Sequence, residues 1–175
     1  DEVYKKNIAR LNNVYAFYEL YRGNEDGSDN SDNVLDKWII ARLNQLKSEI
    51  TEGMENYELD KAAKTIADFI DDLSTWYIRR SRERFKSDDE NDKKLALNTT
   101  HFVLDELSKL IAPVMPFIAD DIYLKVTQGN KEKSVHLEKW SVLKEESVKL
   151  KEKSLIKEME TIRSIVSLGL EARAK

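Results

Sequence analysis

Ile66-Ala67-Asp68-Phe69-Ile70-Asp71-Asp72-Leu73-Ser74-Thr75-Trp76-Tyr77-Ile78-Arg79-Arg80-Ser81-Arg82-Glu83-Arg84-Phe85-Lys86 joins an apolar helical line to a cluster of arginines. Ile66, Ile70, Leu73 and Tyr77 recur at 4, 3, 4 spacing, which stacks them on one face of a helix. The pattern begins at Leu59 and shows no strand-like alternation. Trp76 to Lys86 then carries five positive side chains against one negative, Glu83, in a chain whose formal net charge is −4. A basic island in an acidic chain points to a polyanionic partner.

On a regular α-helix the charges sort into two stripes. Thr75, Arg79, Arg82 and Lys86 share one, so Arg79, Arg82 and Lys86 are expected to face solvent. Arg80 and Arg84 continue the line of Leu73 and Tyr77, and are expected at the core edge with buried stems and free heads. Trp76 and Tyr77 would anchor the helix where it leaves the bundle. The competing reading is structural: arginines near a helix C-terminus complement the macrodipole by about 0.3–1 kcal/mol each. Asp68, Asp71 and Asp72 lie within pairing reach. Four arginines in six positions, Arg79 to Arg84, exceed what a helix end requires.

Outward from this stretch the chain repeats the helical pattern. Before it, Ile8, Leu11, Val14, Tyr18 and Tyr21 mark a helix from about Val3 to Tyr21. Gly23 to Asn33 reads as a flexible acidic loop. Ser31 or Asp32 can cap a second helix, whose stripe is Leu35, Ile39, Leu43, Leu46, Ile50 and Met54. Asn56-Tyr57-Glu58 is a turn. After it, residues 87–92 break the basic helix, and Leu97, Thr100, Leu104, Leu107 and Ile111 mark a fourth. Ala112-Pro113-Val114-Met115-Pro116 makes a corner, with proline suited to the first turn of the next helix, which stops near Gly129. Residues 134–140 are expected to be extended, from the alternation of Val135 and Leu137. Leu155, Met159, Ile162, Val166 and Leu170 mark a last helix. The fold class expected is all-α: an antiparallel bundle of about six helices over residues 1–175 as a single domain.

Composition agrees. Among 175 residues, 41% are hydrophobic and only five are glycine and two proline, a balance that favours helices. No cysteine is present, so disulfides and thiolate metal sites are excluded, and a cytoplasmic location is expected. No apolar run approaches the ~18 residues of a membrane span. The first residue is Asp1 and the last lies within a helical pattern, which together read as a piece of a longer protein. His101 and His136 are the only histidines, and neither follows a Glu by three residues, which excludes a di-iron bundle. No HExxH zinc helix, glycine-rich phosphate loop or GxSxG element occurs. Adjacent pairs Asp71-Asp72 and Asp120-Asp121 point about 100° apart on a helix and form no acid/base couple. No catalytic site and no metal site follow from the sequence.

Several phrases resemble one family. Leu35-Asp36-Lys37-Trp38-Ile39-Ile40-Ala41-Arg42-Leu43-Asn44 is similar to a helix opening in the anticodon-binding bundle of the class I synthetases for isoleucine, valine and leucine. Tyr57-Glu58-Leu59-Asp60-Lys61-Ala62-Ala63 and the run Leu110 to Tyr123, with its Ala112-Pro113-Val114-Met115-Pro116-Phe117 centre, resemble two further motifs in the same order. Asp71 to Phe85 is similar to the segment typical of isoleucyl-tRNA synthetases, where valyl enzymes are much less basic. Ser134-Val135-His136-Leu137-Glu138 resembles a later motif. Departures are Lys86 in place of the usual Trp, Asn12 where Trp is common, and Ser141 in place of Pro after Trp140.

The resemblance implies an anticodon-binding helical domain whose partners are the anticodon stem-loop of the isoleucine tRNA and the rest of the synthetase polypeptide. The parent enzyme would use ATP and Mg²⁺ to join isoleucine to that tRNA. The HIGH-like and KMSKS-like signatures, the editing domain and the zinc module are absent here, so this chain alone is expected to make no adenylate and to hold no cofactor. Expected tRNA-binding residues are Arg79, Arg82 and Lys86 as phosphate contacts, Arg80 and Arg84 near the loop or buttressing the helix, and Trp76 as a stacking platform. The rival readings are a helical scaffold or protein-interaction module, and the equivalent domain of a valyl or leucyl synthetase.

Overall fold

The computed structural model describes residues 2–23, 31–128, 132–140 and 146–173. Helix α1 is Glu2–Tyr21 and α2 is Val34–Glu55. Helix α3 is continuous through α-helical Leu59–Asp71, π-helical Asp72–Ile78 and α-helical Arg79–Phe85, with helical backbone at both joins. Helices α4 (Glu90–Ile111), α5 (Pro116–Thr127) and α6 (Glu146–Arg173) complete six among the described residues. No strand occurs among those residues.

The apolar stripes predicted for the first four helices enter one core, apart from half-buried Ile8 and exposed Leu59. Trp38, Ile39, Leu43, Leu46 and Ile50 of α2 meet Ile66, Phe69, Ile70 and Leu73 of α3, all at most 2% exposed. At about 25 cal/mol per Å² of apolar surface, burying such side chains is the main stabilising contribution. Helices α2 and α3 come close where Gly53 lies, because a Cβ there would stand 3.2 Å from the Cβ of Ala62. Their turn puts Tyr57 at φ 59°, a left-handed conformation uncommon for a bulky side chain. The corner before α5 forms as expected, with Pro116 as the first helical residue.

Three local expectations are corrected. Asn33, rather than Ser31 or Asp32, caps α2: its side chain accepts from the amide of Leu35 at 2.9 Å. Ser31 instead donates to buried Asp36 at 2.5 Å. Val135–Leu137 is a 3-10 turn flanked by extended Ser134 and Glu138, not an extended segment. The turn forms because Asp120 accepts from both Ser134 Oγ and the Val135 amide, at 2.8 and 2.9 Å, and curls the chain around one carboxylate. Finally, of the apolar line predicted for α6, Leu155 is partly buried against the core and Met159 is buried, as is neighbouring Ile156, while Ile162 and Leu170, with Ile165 and Leu168 beside them, are half or more exposed. The acidic loop predicted between Gly23 and Asn33 falls largely on residues 24–30, outside the described residues.

Candidate nucleic-acid interface

The basic end of α3 begins with the π-helical segment. Its i→i+5 bonding places one extra residue in a turn, and the buried line shifts accordingly. After Leu73 and Tyr77, both 0% exposed, the inward positions are Ile78, Ser81 and Phe85. A regular helix would have brought Arg80 and Arg84 onto that line. Arg80 is therefore exposed, alongside Arg79, Arg82 and Lys86.

None of these four cations forms an ion pair with a carboxylate among the described residues, where the pairs of Asp71 and Asp72 go elsewhere. Asp71 pairs with Arg10 at 2.8 Å. Asp72 takes Arg42 Nε at 2.9 Å and Arg163 at 2.6 Å. The outer heads rest on rings instead: Arg82 lies 5.9 Å from the centre of the Phe17 ring and Arg80 5.2 Å from that of Trp76. Phe17 packs edge-on against Phe85, with ring centres 5.1 Å apart. The cluster thus fixes the end of α3 against α1 while leaving guanidinium edges free to donate. Four exposed cations with only Glu83 among them make a positive face.

Arg84 differs, and the expectation of a free head there is corrected. Its guanidinium donates to both oxygens of Asp36, at 2.7 and 2.9 Å, and to Asp92 at 2.7 Å. Asp36 is fully buried at the first turn of α2, and Tyr77 donates a further bond to it at 2.8 Å. One arginine so joins the start of α2, the end of α3 and the start of α4. Burial alone would lower the pKa of Arg84, but its hydrogen bonds to Asp36 and Asp92 outweigh that and raise it. The same hydrogen bond from Arg84 holds the Asp92 carboxyl below its ordinary range, against the opposing effect of burial. Burial, followed by the charge of Asp36, pushes the Tyr77 hydroxyl well above its usual value.

Trp76 is half-buried and packs against the core. Two guanidiniums, Arg80 and Arg163, lie 5.2 and 5.1 Å from its ring centre. The sequence reading missed Asp36, Asp92 and Arg163. Asp36 and Asp92 both carried a signal, since each is a carboxylate in the first turn of a core helix, where it favours the helix dipole. The partner of Arg163 is set by packing between distant segments, since Asp72 lies on another helix far back in the chain. Among the described residues no helix is long and apolar enough to cross a membrane.

A family model described as the anticodon-binding domain of tRNA ligase matches residues 36–175. The isoleucine--tRNA ligase of Clostridium acetobutylicum is 41% identical over 98% of this chain, and that of Clostridium tetani 37% identical over 99%. Isoleucine--tRNA ligase 2 of Bacillus anthracis is 36% identical over 98% of the chain. The chain spans 17% of the length of each of these relatives.

Proposed function

Since the chain belongs to the anticodon-binding domain family of tRNA ligases, we propose that residues 1–175 act as one unit that holds the anticodon stem-loop of the isoleucine tRNA. The isoleucine assignment is supported by the relatives, all of them isoleucine--tRNA ligases. In this reading the longer enzyme joins isoleucine to its tRNA in the cytoplasm with ATP and Mg²⁺, chemistry that lies outside this chain. The exposed apolar residues Ile162, Ile165, Leu168 and Leu170 give the rest of the polypeptide a surface to pack on.

The observation that carries the proposal is the outer face of α3. Arg79, Arg82 and Lys86 contact phosphates, joined by Arg80 at the edge of Trp76. Such contacts set register and orientation without reading bases. Guanidiniums suit the task because their planar forks bond phosphate oxygens bidentately. Four contacts at about 0.7–0.9 each give a slope of log affinity against log salt of about −3.

The test is charge reversal at two of these positions. Arg79→Glu with Arg82→Glu should abolish binding of an anticodon stem-loop at moderate salt while the far-ultraviolet helical signal stays intact. A folded double variant with the affinity of the unaltered chain would defeat the assignment. It would favour the scaffold reading, in which the basic face meets an acidic protein.

A further inference from the structure

Helix α6 packs on α2, where Asn44 Nδ2 donates to Glu152 at 2.7 Å and Ile156 and Met159 are buried. From Ile162 onward the helix leaves the core. Arg163 stands at the point of departure, yet its head turns back toward α3. It donates to Asp72 Oδ1 at 2.6 Å and lies 5.1 Å from the ring centre of Trp76. Asp72 opens the π-helical segment and Trp76 is its fifth residue. One side chain therefore grips two points, a turn apart, on the irregular part of α3. The second oxygen of Asp72 is held by Arg42 of α2 at 2.9 Å, so the segment is clamped from two helices.

The consequence lies in register. A π turn is less favourable than an α turn and persists where its surroundings impose it. If Asp72–Ile78 relaxed to α-helix, everything after it would rotate by one residue, about 100°. Arg80 and Arg84 would move onto the line now held by Ser81 and Phe85. The cations aimed at solvent would be re-aimed, and Arg84 would lose the geometry that meets Asp36. We propose that Arg163 is a positioning residue for the RNA face: through Asp72 and Trp76 it holds the π-helical register that points Arg79, Arg82 and Lys86 outward. This rests on the RNA-binding reading above.

The experiment measures stem-loop affinity across a salt series, together with amide exchange over Asp72–Ile78, for the unaltered chain, Arg163→Ala, Arg163→Lys, Asp72→Asn and the Ala/Asn double variant. Arg163→Ala should weaken binding about tenfold and speed exchange across the π segment, with the salt slope unchanged because the smaller fraction of molecules that keeps the register still binds with every phosphate contact. Arg163→Lys keeps the charge opposite Asp72 but not the planar head on Trp76, and should recover part of the loss. Asp72→Asn should weaken binding as well, and adding Arg163→Ala to it should cost less than the alanine change costs alone. A slope made shallower by about 0.7–0.9 with undisturbed exchange would make Arg163 a phosphate contact and overturn the proposal. Unchanged affinity in a folded Arg163→Ala variant would overturn it too. If the unaltered chain bound no stem-loop, the RNA reading would fail first and take this one with it; binding intact but insensitive to Arg163 marks failure of the positioning role alone.

Discussion

Arg82 and Arg84 stand two residues apart on α3, yet one head lies on a phenyl ring at the surface and the other between two carboxylates. Composition treats them alike, but two positions on a helix point about 200° apart, so the two heads leave α3 on opposite sides. What separates them is the wall each meets. Arg82 faces the aromatic side chains of α1, which leave its donors unspent. Arg84 faces the acidic first turns of α2 and α4, which use up all of its nitrogens. A basic cluster is therefore two devices on one helix, an outward one for a polyanion and an inward one that ties three helices together.

The inward device gives the larger effect when broken. Arg84→Ala leaves Asp36 buried and charged without a cation, a change that costs about 3–5 kcal/mol. The urea midpoint of that variant should fall far more than for an alanine at Arg79 or Arg82, where exposed positions shift stability by at most about 0.5 kcal/mol. Equal midpoints for the two classes would erase the distinction.

Acid offers a gentler probe. The Asp92 carboxyl is lowered in the folded chain by the hydrogen bond from Arg84. Its contribution is present above the unfolded aspartate value of about 3.9 and is lost as pH falls through the folded one. Urea midpoints of the unaltered chain should accordingly decline below about pH 4 more steeply than those of Asp92→Asn, which lacks the contribution at every pH. Parallel curves would show that the pair adds nothing.

The helices themselves were legible because apolar spacing is local. Leu35, Ile39, Leu43, Leu46 and Ile50 needed only their own sequence to be placed on one face, and Pro116 announced the start of α5. The π segment was harder. Its trace is the pair Ile78 and Phe85, seven residues apart and one position off the line of Ile66, Ile70 and Leu73, an offset that a strict 3.6-residue period overlooks. Exposure of Arg79, Arg82 and Lys86 was readable from their stripe. The capture of Arg84 was not, because Asp36 and Asp92 reach it only after three helices have packed. The last helix misled for a related reason: periodicity marks an apolar face but not what covers it, and past Met159 Ile162, Ile165, Leu168 and Leu170 stay half or more exposed among the described residues.

The central claim is that the outward arginines meet RNA while the inward one stays with its carboxylates. Arginine Nε–H resonances, followed by NMR as an anticodon stem-loop is added, report on each head separately. The account predicts that the Arg79 and Arg82 signals move on binding and that of Arg84 remains where the free chain has it. Movement of the Arg84 signal with Arg79 and Arg82 unaffected would contradict it.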